Sequence, residues 1–97
     1  MRQLIYSPKA TRDIDEIYDY TEAKWGFQQA EDYVFDIRDC RRLFSAGTKV
    51  GRPADPVRHG YLLIRRGAHY IVYKADAQTI TIIRILHQRM NITAHLR

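Results

Sequence analysis

Residues 82–91 read IIRILHQRMN, and Arg84 and His87 within them are side chains that can handle phosphate and protons. A nuclease site needs a base near neutrality and a cation at the scissile phosphate. The spacing argues against this pair. Side chains alternate along a strand, so Arg84 would share a face with Ile80, Ile82 and Leu86. His87 would share the other with Thr81, Ile83 and Ile85. The two can cooperate only if the strand bends or ends before His87. A lone arginine among aliphatic residues is costly unless it is paired or its face is wet. We read Arg84 as marking an open sheet face; the alternative is an ion pair with a helix carboxylate such as Asp36 or Glu16.

Other chemistries find less support. The histidines have no i,i+4 pair and no carboxylate in register, so no metal site is expected. GTKVGRP lacks the Lys-Ser/Thr that opens a helix after a phosphate loop. Ser7 and Ser45 have no neighbouring base. Cys40, the only cysteine, falls on an apolar helix face and reads as a small core residue. No cofactor is implied.

The elements that position these residues follow from periodicity. Gln3 to Tyr6 is a short strand. Ser7-Pro8 then opens a helix as a capping serine followed by proline at the first helical position. Ala10, Ile14, Ile17, Tyr18, Thr21 and Trp25 form its apolar face. Arg12, Asp13, Asp15, Glu16, Asp19 and Glu22 form the polar one, and Tyr20 points away from the apolar face. Gly26 ends the helix. A second helix is expected from Phe27 to Ser45, with Phe27, Ala30, Tyr33, Val34, Ile37, Cys40 and Phe44 inward. Gly47 closes it. Its late arginines Arg38, Arg41 and Arg42 suit the helix dipole.

With almost no linker, the two helices form an antiparallel hairpin. Residues 46–60, AGTKVGRPADPVRHG, read as a loop. Three strands follow, over 61–65, 68–74 and 79–86, separated by short turns as in a meander. The last is apolar on both faces and is expected to be central. Asn91 to Leu96 suits one helical turn. The sum is an α+β domain spanning 1–97, of order β-α-α-β-β-β, with a small antiparallel sheet against an N-terminal helical hairpin.

The chain has 97 residues and a net charge of +5. Its first 48 residues carry seven Lys/Arg against nine Asp/Glu, and the rest nine against two. All four histidines also lie in the second half. Such asymmetry draws an acidic partner, nucleic acid or acidic protein, to one side. No apolar run approaches the roughly 20 residues that span a bilayer. The N-terminus does not read as a signal peptide. A reducing cytoplasm is the expected setting.

Several stretches together resemble the ParE branch of the RelE/ParE toxin superfamily. They are Tyr6-Ser7-Pro8-Lys9-Ala10, then Asp13-Ile14, Gly51-Arg52-Pro53, Ile71-Val72-Tyr73, and above all Arg84-Ile85-Leu86-His87-Gln88-Arg89-Met90. The resemblance implies the toxin half of a bacterial type II toxin–antitoxin pair. It also implies that the toxin traps DNA gyrase on cleaved DNA and is not an enzyme in its own right. The implied partner is a ParD-like ribbon-helix-helix antitoxin, which alone would contact operator DNA. RelE-like relatives instead cut mRNA on the ribosome. In that pattern only Arg65, Arg84 and His87 lie near the required positions, and a lysine-rich helix is missing. A non-toxic basic interaction module is the third reading. The residues expected to contact target or antitoxin are Tyr20, Arg58, Arg65, Tyr73, Arg84, His87, Arg89 and Met90.

Overall fold

A computed structural model describes residues 3–39, 52–53, 60–91 and 94–95. The element order is β1 (Gln3–Tyr6), α1 (Pro8–Trp25), α2 (Phe27–Arg38), β2 (Arg52–Pro53), β3 (Leu62–Arg66), β4 (His69–Ala75) and β5 (Thr79–His87). The expected second half of α2, with Cys40, Arg41, Arg42 and Phe44, lies outside the described residues, as do Gly47 and Arg58. Among the described residues no helix is long and apolar enough to cross a membrane.

Local chemistry explains the helical hairpin. The Ser7 side chain accepts a hydrogen bond from the Ala10 amide at 3.0 Å, and Pro8 occupies the first turn. Such a cap contributes about 1 kcal/mol. Gly26 then takes φ +96°, a conformation disfavoured for side-chain-bearing residues, and α2 starts at once. Ala10, Ile14 and Ile17 of α1 and Val34 and Ile37 of α2 pack onto Ile71, Tyr73, Ile80, Ile82 and Ile85 of the sheet.

The sheet order is β1-β5-β4-β3-β2. The α+β class is as expected, but the sheet is mixed: β3, β4 and β5 form the antiparallel meander, whereas β1 pairs parallel to β5. The sequence expectation of a wholly antiparallel sheet is corrected to that extent. β5 is interior, flanked by β1 and β4, while β4 takes the middle position.

A bulge changes which way β5 faces. Val72 pairs with Arg84 and Tyr73 with Ile82, so Ile83 is an extra residue in β5. One inserted residue inverts the alternation beyond it. Ile85 therefore joins Ile80 and Ile82 in the helix-side core. Leu86, expected with them, packs instead with Leu63 and Val72, next to Tyr61, Tyr70 and Ile83.

Three further expectations are corrected. Trp25 and Phe27, read as core, are 65% and 60% exposed. They flank the Gly26 turn, where a helix stripe has less to pack against. Tyr73, read as a contact residue, is only 4% exposed because it lies in the core beneath the helices. Asp13, read as solvated, is 8% exposed.

Candidate functional site

β1 ends opposite Ile82, so the flank of β5 that it covered needs new partners beyond that point. The start of α1 provides them. The Ser7 amide donates to the Ile82 carbonyl at 2.9 Å and the Ser7 hydroxyl to the Ile83 carbonyl at 2.7 Å. Nearly two turns further, Asp13 Oδ2 accepts the Ile85 amide at 2.9 Å. The same carboxylate holds Arg84 in two bonds, Nε to Oδ2 at 2.7 Å and a terminal guanidinium nitrogen to Oδ1 at 3.0 Å. Bidentate pairing of this kind is the strong form of the interaction. The hydrogen bond to Asp13 pushes the Arg84 guanidinium pKa upward.

Arg84 is therefore not a free cation on an open face. Its partner is Asp13, neither Asp36 nor Glu16. The sequence did hold a signal for this: Asp13 is three residues after Ala10 and four before Ile17, which places it on the border of the inward face.

Beside this ion pair, at the end of β5 that carries His87, lies a groove of about 570 Å³. From α1 it is lined by Asp13, Glu16, Ile17, Tyr20 and Trp25, and from α2 by Tyr33. His69, His87 and Met90 complete it from the sheet side. The bulge is what turns His87 inward. Its ring meets His69 edge to face, with centroids 5.2 Å apart. This pairing follows from register, because His69 lies directly across from His87.

Tyr33 fixes the state of His69. The Ala68 amide donates to the Tyr33 oxygen at 2.9 Å, and the phenol, whose proton has no other acceptor among the described residues, meets His69 Nδ1 at 2.6 Å. With the phenol as donor, His69 carries its proton on Nε2. Burial, with His87 alongside, pushes its pKa down to about 4, so the ring is neutral at pH 7. Burial also raises the Tyr33 pKa. Gly67 makes room for this tyrosine: it adopts φ +59°, and a Cβ there would come within 2.8 Å of the Tyr33 ring.

The structure thus brings Tyr20, His87 and Met90 together around one groove, with Arg84 tied to its wall. Arg65 lies elsewhere, donating to the Gly67 carbonyl at 3.1 Å and to the Gln88 side chain, with its guanidinium 5.9 Å from the Tyr70 ring centre. Arg89 is exposed, and its backbone amide donates to His87 Nδ1 at 3.1 Å. Asp13, Tyr33 and His69 were not singled out from the sequence. Among the described residues no three His, Cys, Asp or Glu side chains gather to hold a metal.

A helical hairpin laid on a mixed sheet is the fold of solved toxins of the ParE and YoeB/ParE kind. The solved structure "Chromosomal ParDE TA system from P. aeruginosa" superposes with a TM-score of 0.76 at 27% identity, covering 90% of this chain and 96% of that one. "The structure of YoeB dimer from Staphylococcus aureus" shares the fold at TM-score 0.62 and 20% identity, covering 89% and 95%. Residues 4–92 match the family described as "ParE toxin of type II toxin-antitoxin system, parDE". Toxin ParE1 of Mycobacterium tuberculosis is 34% identical over 93 residues, 95% of each chain. Toxin ParE1 of Caulobacter vibrioides is 34% identical over 96 residues, 99% of each. The chain belongs to the ParE toxin family of type II toxin–antitoxin systems.

Proposed function

We propose that residues 1–97 act as one toxin domain that inhibits DNA gyrase by trapping it on cleaved DNA, in the bacterial cytoplasm. A ParD-like ribbon-helix-helix antitoxin neutralises it. The family match supports the toxin role. The observation that favours inhibition over RNA cleavage is the bidentate Asp13–Arg84 pair. A nuclease needs its cation at the scissile phosphate, and this arginine is already neutralised. His69, the ring beside His87, is held neutral and accepts from Tyr33.

The antitoxin's place is the groove. Its largely apolar lining, with Trp25 and Met90 exposed, suits an amphipathic segment that orders on binding. The basic second half of the chain speeds the encounter with an acidic partner.

The test uses purified protein, gyrase, supercoiled plasmid and ATP. Linear DNA should accumulate. No linear product at a large excess over gyrase, together with mRNA cleavage on ribosomes that is lost in His87→Ala, would transfer the function to the RelE type. Unimpaired growth on expression alone would point to a non-toxic module.

A further inference from the structure

We propose that His69 and His87 form a carboxylate-binding site in the groove, taken in the neutralised toxin by an acidic side chain of the antitoxin segment. The identity of the occupant rests on the antitoxin reading above; the site itself rests on the tautomers of the two rings.

Each ring has one nitrogen committed. His69 Nδ1 accepts the Tyr33 hydroxyl at 2.6 Å. His87 Nδ1 accepts the Arg89 amide at 3.1 Å. A neutral imidazole that accepts at Nδ1 must carry its proton on Nε2. Both rings therefore offer an Nε2–H donor, with ring centres 5.2 Å apart. Among the described residues, neither Nε2 has an acceptor within hydrogen-bond distance. Two such donors, on perpendicular rings lining one groove, can each bond one oxygen of a carboxylate seated between them.

The surroundings select the class of acceptor. The pair is faced by Asp13 and Glu16 from α1 and Tyr33 from α2, with Arg84 reaching the site only through its bonds to Asp13. Asp13 is neutralised by Arg84 and also occupied by the Ile85 amide, so it does not compete for the histidines. Glu16 disfavours a doubly charged phosphate more than a singly charged carboxylate. Ile17, Trp25 and Met90 supply apolar walls for the stem and neighbours of an acidic side chain on an amphipathic segment.

The experiment uses the free chain with ¹⁵N-labelled histidine and acetate as the probe, titrated against chloride at constant ionic strength. At pH 8, long-range ¹H–¹⁵N spectra should show the Nε2–H tautomer on both rings. Acetate should then shift both sets of imidazole resonances saturably. His87→Leu should weaken acetate binding about tenfold, the worth of one hydrogen bond to a charged acceptor. His87→Gln, whose amide places a donor near the Nε2 position, should retain most of it. An Nδ1–H tautomer on either ring, or no acetate-specific shift, overturns the proposal. With antitoxin added, the same resonances should move, and His87→Leu should weaken the complex by a similar factor. Acetate binding with no antitoxin complex leaves the site standing and removes the antitoxin reading. A complex that leaves both histidines unmoved does the reverse.

Discussion

Asp13→Ala should be the most damaging substitution on the polar side of α1. The carboxylate makes three hydrogen bonds, at 2.7, 3.0 and 2.9 Å, to the Arg84 guanidinium and the Ile85 amide. The two side chains are 10% and 17% exposed, so water cannot readily replace the lost partner. Removing one member of such a pair costs about 3–5 kcal/mol, and an unsatisfied buried amide costs about 1–3 kcal/mol. The residual exposure of Arg84 and the overlap of the two effects place the expected loss at about 3–4 kcal/mol. Urea unfolding would read it directly, and the thermal midpoint should fall by at least about 12 °C. Arg84→Ala should destabilise by a comparable amount, because it strands Asp13. A sequence reading of Arg84 as a working surface predicts instead that toxicity falls more than stability. Loss of less than 1 kcal/mol in Asp13→Ala would refute the structural reading and return Arg84 to the list of free cations.

Two more outcomes test the packing and the titration. Ile37→Ala should cost about 2–5 kcal/mol, since the side chain is 2% exposed, while Trp25→Ala should cost under about 1 kcal/mol; equal losses would mean the helix faces are wrongly assigned. The native state holds His69 neutral down to about pH 4, whereas the unfolded chain takes a proton near 6.5. Its contribution is complete above 6.5 and falls away between 6.5 and 4, because the unfolded state binds more protons there. Allowing for the solvated part of the ring, the effect should be about 1–2 kcal/mol, visible as a flatter acid limb in His69→Gln.

Much of the fold was legible because its signals are local. Ser7-Pro8 and Gly26 bracket α1 where expected, and the three meander strands fall within a residue or so of their observed ends. What was not legible depends on partners far along the chain. Nothing in Gln3–Tyr6 says that its neighbour will be Thr79–Ile82 in parallel register. The bulge at Ile83 is likewise set by pairing with β4, yet it decides that Ile85 and His87 face the helices. Face assignments by simple alternation therefore fail beyond Ile82, although Arg84 and His87, both past the bulge, keep the opposite faces expected of them. The partner of Arg84 is 71 residues away. His69 gains meaning only through its cross-strand place opposite His87 and its bond to Tyr33.

The parallel pairing of β1 with β5 also orders events during synthesis. β1 must wait for β5, which follows it only after the helical hairpin and the other strands described, and the Ser7 hydroxyl reaches a carbonyl 76 positions later. Long loops must close before these contacts give any return. The Asp13 latch and the inward-turned His87 cannot exist on a partly made chain. A chain under synthesis therefore lacks the latch and the finished groove until β5 has emerged. Assembly of the groove is thus tied to the arrival of β5, a delay set by topology alone.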